Sequence, residues 1–469
     1  MLRPFRFLAA ALPLGLVFSA GPLPVTTPAY GMSLAEAIRL AVETNPRVKA
    51  AQASRRATDS VLDQAQGRYL PEVNLGADIG RQRIDRPEGF GPFVNDQWRT
   101  RRQVTVGVKQ ILFDGFDRAN DVYQSQARIS AAAYKVLARS EAVALDVVEA
   151  YIDVVRHKNL VHSARENVRR HERLLKLVKD RFDGGQTSIG DLDQTRERLE
   201  AAKGLVSQIK ISLETANAKF KSAVGVAPRR LKNVRQAKIS FQTAAGATSF
   251  AISSNPRLQS LNSEVDVADF QKEQFRSTLY PELSLEGSAT WGDDLEGTPK
   301  RSNELRGMVV LKWKLYDGGI RRARISELTE REYEKLAEYD TFARELREQI
   351  EIAWARTMEG RRRVASIRNQ LDQNRKVVRA YRDEYQANKR SLLDVLDAEN
   401  SRFVSEFDLS NASAIQRFSS YQLVAHTGQL LKRFGVATPK GGRNPEPAYK
   451  PRARNASSFN LTIPSLRQD

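Results

Sequence analysis

The chain has 469 residues, no cysteine and a formal net charge of +19. The missing cysteine excludes disulfides, thiolate metal sites, cysteine nucleophiles and an N-terminal lipidated cysteine. A basic excess of this size points towards nucleic acid, yet Lys and Arg alternate with Glu and Asp along helical stretches such as Arg344-Glu345-Leu346-Arg347-Glu348, the mark of a solvated helix face, so no nucleic-acid partner is expected.

Residues 1–29 read as an export signal. Arg3 and Arg6 precede an apolar run from Phe7 to Phe18 that is too short to span a bilayer. Cleavage after Ala29 places Thr27 and Ala29 at the small-residue offsets. No later stretch is long and apolar enough for a transmembrane helix, so any membrane crossing falls to strands.

A first unit is expected over residues 33–228. Ser33 and Glu36 form a capping box for a short amphipathic helix, and Asn45-Pro46 stops it and starts the next. Strands are expected at about 69–80 and 103–113, where Val73, Leu75, Ala77 and Ile79, then Val104, Val106 and Val108, alternate with small or polar residues. The polar stretch 81–102 between them reads as a loop. From about Arg118 to Asp183 neither Pro nor Gly interrupts the pattern, so one helix of roughly 100 Å is expected. A turn at Gly184-Gly185 and a return helix to about Ala223 make it a hairpin. Residues 229–250 read as a basic, Ala/Thr-rich linker.

A second unit, 251–435, repeats the first. Asn255-Pro256 repeats Asn45-Pro46, and Pro281-Glu282-Leu283 repeats Pro71-Glu72-Val73, each displaced by 210 positions. Leu315-Tyr316-Asp317-Gly318 repeats Leu112-Phe113-Asp114-Gly115 at a displacement of 203. The slip falls between the strands, where insertions are tolerated. Strands are expected at about 281–291 and 307–316, then a long helix from about 320 to 388 and a return from about 392 to 434. Residues 436–469 read as a flexible, basic, Pro-rich tail.

The fold class is therefore α+β: long helical hairpins and four strands per chain, arranged as an internal two-fold repeat. The strands suit either a soluble sheet packed on helices or a membrane barrel. Four strands cannot close a barrel, and an open edge in lipid leaves backbone groups unpaired. A barrel must be shared between chains: two supply about eight strands with an interior filled by side chains, and three about twelve with room for a lumen. In the last strand Val310, Lys312 and Lys314 would face inward, and Val309, Leu311, Trp313 and Leu315 outward. Trp291 and Trp313 suit interfacial anchoring or core packing alike.

Ser188-Ile189-Gly190-Asp191 and Ser391-Leu392-Leu393-Asp394 open the two return helices. Ser with Asp three residues later fits N-terminal capping. Asp397 lies one turn further on, on the same face as Asp394, where capping explains it less well. Tyr385 reads as an ordinary packing aromatic and Arg390 as an exposed arginine. The histidines, His157, His162, His171 and His426, lack metal-site spacing. Nucleotide-binding loops and nucleophile elbows are missing. Neither an enzyme nor a cofactor is expected.

These residues resemble the TolC family of outer-membrane efflux and secretion channels. The likeness rests on Leu34-Ala35-Glu36-Ala37 with Asn45-Pro46, Tyr69-Leu70-Pro71, Gln110-Ile111-Leu112-Phe113-Asp114-Gly115 and its repeat at 315–319, and Asp394-Val395-Leu396-Asp397-Ala398. Residues 390–400 resemble most closely the branch serving type I protein secretion. The resemblance implies a homotrimer in the outer membrane of a Gram-negative bacterium, a shared β-barrel touching lipid, and a helical tunnel through the periplasm. It implies a periplasmic adaptor and an inner-membrane ABC transporter or other efflux pump as partners. It places Asp394 and Asp397 at a periplasmic gate, where a trimer would set six carboxylates in a ring able to attract cations. It implies a latch in which Tyr385 and Arg390 bond towards Asp191. Small-molecule efflux is the alternative role, and a non-pore periplasmic coiled-coil scaffold the alternative of another class.

Overall fold

The computed structural model describes residues 31–83, 98–295 and 300–443. The expected export signal at 1–29 and the tail beyond 443 lie outside them. Twice over, the chain runs helix, helix, strand, strand, long helix, return helix. The first pass is α1 (Leu34–Thr44), α2 (Pro46–Gly67), β1 (Glu72–Arg83), β2 (Trp98–Phe113), α3 (Asp117–Asp183) and α4 (Ile189–Val224). The second is α5 (Ala244–Ser254), α6 (Pro256–Arg276), β3 (Glu282–Asp293), β4 (Arg301–Lys312), α7 (Ile320–Gln386) and α8 (Leu392–His426), closed by the short α9 (Leu430–Arg433).

Local chemistry sets the boundaries. Ser33 and Glu36 form a complete capping box on α1. Asn45 and Asn255 cap α2 and α6, each with Pro in the first turn. α3 and α7 have 67 residues each, about 100 Å at 1.5 Å per residue. α7 buries a residue at every seventh position from Ala343 to Tyr385, namely Ala343, Ile350, Thr357, Val364, Leu371, Val378 and Tyr385, joined near the start by Leu346 and Ala353. That period of 3.5 per turn is the seam of a left-handed coiled coil, packed here against α8.

Five expectations need correction. The linker 229–250 is not unstructured to its end, because α5 begins at Ala244. Thr243 caps it by accepting from the Gly246 N–H at 3.1 Å, and Ala247 and Ala251 are fully buried. The stretch 81–102 is strand at both ends, since cross-strand pairing continues through Arg81↔Thr100 to Arg83↔Trp98. β4 starts earlier and ends earlier than 307–316, so Lys314 lies past the strand. The last long helix does not reach 434. It stops at His426, where Gly428 takes a left-handed φ of 68° and the Glu141 carboxylate accepts from the Leu430 and Leu431 N–H groups at 3.1 Å each. Finally, the described part of the tail is packed: Pro439 and Gly442 are buried, and Gly442 lies against Leu137 of α3.

The four strands form one antiparallel sheet in chain order, with β1 and β4 as edges. The register gathers one apolar face: Leu75 pairs with Val106, Val106 with Ala289, and Ala289 with Leu305. This face covers nothing among the described residues, and Leu75, Ile79 and Leu305 are 73%, 73% and 88% exposed. The opposite face is polar, with Thr105 and Thr290 hydroxyls 3.1 Å apart and Lys109 bonded to Glu282 at 2.9 Å.

Below the sheet, α2, α3, α6 and α7 pack side by side; farther down the order is α4, α3, α8, α7. The main core lies where α1, α3, α4, α8 and the 229–243 segment meet. Tyr151 of α3 is fully buried there, its hydroxyl within 2.8 and 2.9 Å of the Met32 and Lys232 carbonyls. Burial pushes that phenol up to about 12, so it stays protonated and tethers the N-terminal segment to the linker.

Candidate functional site

Both hairpins turn at the end farthest from the sheet, and their turns are built alike. α3 ends with Gly185 at φ 73° and α7 with Asn388 at φ 60°, the left-handed position that Gly and Asn tolerate. Gln186 N–H donates to the Arg181 carbonyl and Lys389 N–H to the Glu384 carbonyl, both at 2.8 Å. Ser188 then caps α4 by accepting from the Asp191 N–H at 3.1 Å, and Ser391 caps α8 by accepting from the Asp394 N–H at 3.2 Å. Capping is thus present at both sites.

Between the turns lies an apolar plug of Leu174, Val178, Leu192, Tyr385, Leu392, Val395 and Leu396. Tyr385 is 5% exposed and ends the seven-residue seam of α7. The Arg181 guanidinium sits 4.7 Å from the centre of its ring and donates to the Tyr385 and Gln386 carbonyls. The Tyr385 hydroxyl is buried without a hydrogen-bond partner among the described residues.

The structure does not bring Asp191 to Tyr385 or Arg390 within one chain. Asp191 accepts from the Thr187 hydroxyl at 2.5 Å. Arg390 donates to Glu384 at 2.9 Å, lies 3.8 Å from Asp394, and stacks 4.2 Å over Tyr381. Asp394 is half-buried and Asp397 exposed. Asp397 has no ion-pair partner among the described residues. Lys312 lies on the polar face of the sheet, opposite Glu282 and 3.6 Å from Glu286. Lys314 follows the strand and is exposed.

One group of charges escaped the sequence reading. Glu399, on α8, is 1% exposed. Arg382 of α7 donates to one of its oxygens at 2.7 Å, and Arg170 of α3 lies 3.1 Å from the other, off the hydrogen-bond direction. Arg170 also reaches Glu406 at 3.3 Å, which takes Arg402 at 3.2 Å. This buried network ties α3, α7 and α8 together about a turn above the plug. Beside it, burial holds His171 below the usual histidine range, so it packs as neutral imidazole.

A sheet with an exposed apolar face on helices too charged for lipid is the architecture of an outer-membrane channel protomer. The profile of the outer membrane efflux protein family matches residues 37–226 and 247–429. The chain belongs to that family. It is 23% identical over 441 residues to the outer membrane efflux protein BepC of Brucella suis, covering 94% of each chain. It is 24% identical over 409 residues to the alkaline protease secretion protein AprF of Pseudomonas aeruginosa, covering 84% of each. Among solved structures, a membrane protein from Pseudomonas aeruginosa superposes with a TM-score of 0.75 at 18% identity, over 84% of this chain and 90% of that one. The chain is thus an outer-membrane efflux protein with a large periplasmic helical part, not an enzyme.

Proposed function

We propose that three copies of this chain form a passive duct through the outer membrane and periplasm, coupled to a periplasmic adaptor and an inner-membrane ABC transporter, and that its main role is type I protein secretion. The observation that carries the duct is the four-stranded sheet, apolar on one face and open at both edges. Unpaired edge groups in lipid cost several kcal/mol each, so edge must meet edge between copies. Lys312 then faces the lumen. The secretion role is supported by the tip stretch 390–400 and by the name of AprF. The name of BepC supports efflux as the second reading.

The latch belongs between copies. α4 and α7 are the two outer helices of the lower layer, so in a ring the Asp191 end of one copy abuts the Tyr385–Arg390 end of the next. Asp394 and Asp397 would then ring the constriction. Tyr385→Phe with Arg390→Ser is expected to raise single-channel conductance in planar bilayers, and Asp394→Ala with Asp397→Ala to weaken block by multivalent cations. Unchanged conductance would remove the latch, and unaltered block would remove the carboxylate ring. Recovery of the mature chain as a soluble periplasmic monomer would overturn the duct.

A further inference from the structure

The cross-strand register sorts the charges of the sheet by face and by height. On the apolar face, the rows from Leu75, Val106, Ala289 and Leu305 down to Phe113, Leu283 and Leu311, nearest the helices, hold no charged residue. Two rows higher, towards the end farthest from the helices, Ile79, Arg102, Asp293 and Arg301 stand in one line, with Arg81 next beyond Ile79. Trp291 lies in the row between, and Trp98 near the far end of β2. Among the described residues, the cations of this face gather at one end of the strands.

The two faces treat their arginines differently. On the polar face Arg99 lies 3.7 Å from Asp294, Arg101 lies 3.4 Å from Asp78, and Arg306 is paired with Glu304. On the apolar face Arg81, Arg102 and Arg301 are exposed and have no ion-pair partner among the described residues. Asp293 stands between Arg102 and Arg301 in register and pairs with neither, while Arg301 donates to Asn303 at 3.3 Å. Arg81 and Arg102 are diagonal neighbours, about 7–8 Å apart, and Arg102 and Arg301 are two strands apart, about 10 Å. Guanidinium groups at this spacing repel one another unless an anion sits between them. Arginine on the lipid face of a barrel is costly at mid-bilayer and tolerated at the interface, and tryptophan marks the same level.

We infer that Arg81, Arg102 and Arg301 form a belt that binds the phosphate groups of a phosphorylated glycolipid in the outer leaflet. The inference rests on the duct reading, which sets the apolar face against lipid and, with the helices in the periplasm, turns the arginine end towards the cell surface. A lipid whose chains lie along the apolar rows presents its headgroup at the level of Arg102 and Arg301. Each guanidinium fork can take two oxygens of one phosphate. Several arginines at this spacing match a headgroup with several phosphates better than one with a single phosphate. Repeated around three copies, the belt would fix the height of the barrel in the membrane.

The test uses the full-length channel in detergent, read by native mass spectrometry, with diphosphorylated lipid A as the probe. Wild type is expected to retain it, and the same lipid stripped of its phosphates is expected to bind at least about tenfold more weakly. Arg81→Gln, Arg102→Gln and Arg301→Gln combined are expected to show the same loss for the phosphorylated lipid at unchanged trimer mass. Arg306→Gln, on the polar face and already paired with Glu304, is expected to change retention less than about twofold. Equal retention of phosphorylated and stripped lipid by wild type would overturn the belt, whether or not the triple variant assembles. Equal retention of lipid A by wild type and the triple would also overturn it. Displacement of the lipid by inorganic phosphate at matched concentration would make this a free-phosphate site and overturn the lipid. Wild type found only as a monomer would sink the duct and the belt with it, whereas a trimer that holds no lipid A sinks the belt alone.

Discussion

α3 and α7 have the same length, the same place in the repeat and turns of the same design, yet their surroundings differ. Of 67 residues, α3 buries 29 and α7 only 11. α3 is covered by α2, α6, α4 and α8, whereas α7 spends its burial on one seam and leaves Tyr333, Ile352 and Val377 exposed. One long helix is the spine of the protomer, and the other is its edge. A chain that finishes its own core around α3 and leaves α7 half-clad is built to be completed by another copy. The repeat supplies two equal helices, and packing gives them unequal work.

The largest effect is expected at the spine. Val147 is fully buried in the main core, and Val147→Asp places an unpaired charge there, at a penalty of several kcal/mol. We expect no folded protein in the outer-membrane fraction. At the edge, Ile352→Asp adds a charge to a side chain that is 41% exposed in the single chain. The protomer should fold, and the loss should appear in the trimer, as a lower-mass species in light scattering of the detergent-extracted protein. Stable trimers of Ile352→Asp would break the contrast between spine and edge.

The buried network is where spine and edge are joined, and its expected effect is intermediate. Glu399→Gln leaves Arg170 and Arg382 short of their shared carboxylate, and removing one partner of a buried ion pair costs about 3–5 kcal/mol. Replacing Glu399 and Arg170 together by Met should restore part of the melting temperature, because the two most buried charges leave together, while Arg382 is partly exposed and Glu406 keeps Arg402. A double-mutant cycle with no coupling between positions 170 and 399 would show that the seam of α3 with α8 holds without them.

The legible parts of this architecture were those set by local chemistry. The long helices were evident from uninterrupted runs without proline, and the tips from Ser and Asp at capping distance. α5 was missed although Leu34–Thr44 displaced by 210 positions lands on Ala244–Ser254. Its sequence, Ala-Ala-Gly-Ala-Thr-Ser-Phe-Ala-Ile-Ser-Ser, carries no charged face to mark a helical period. The strands ran long because ladder hydrogen bonds continue into polar residues such as Arg81 and Thr100, whose side chains give no alternation. The tip aspartates were found in the sequence, but Glu399 was not: its partner Arg170 is 229 positions away, and nothing local distinguishes a buried glutamate from the solvated ones around it. Lys314 falls past the end of β4 for the opposite reason, since an alternation read from sequence does not say where pairing stops.

The smallest expected effect tests whether α3 also governs the end of the chain. Glu141 is buried in α3 and grips the first turn of α9 through two backbone N–H groups. Burial pushes its carboxyl up to about 7, against the opposing pull of those two hydrogen bonds. When α9 peels away, Glu141 meets water and returns to an ordinary carboxyl near 4.5. Between about pH 4.5 and 7 the packed form therefore holds a proton that the open form has released. Packing of α9 should weaken as pH rises through that window, by at most about 3 kcal/mol at 1.36 kcal/mol per pKa unit, and change little outside it. Hydrogen exchange at the Leu430 and Leu431 amides, corrected for intrinsic rates, should show stronger protection at pH 5 than at pH 8. Glu141→Gln should remove the dependence. Protection that rises with pH would mean that the two N–H groups outweigh desolvation, and that the spine holds the chain's end by an ion instead of a neutral acid.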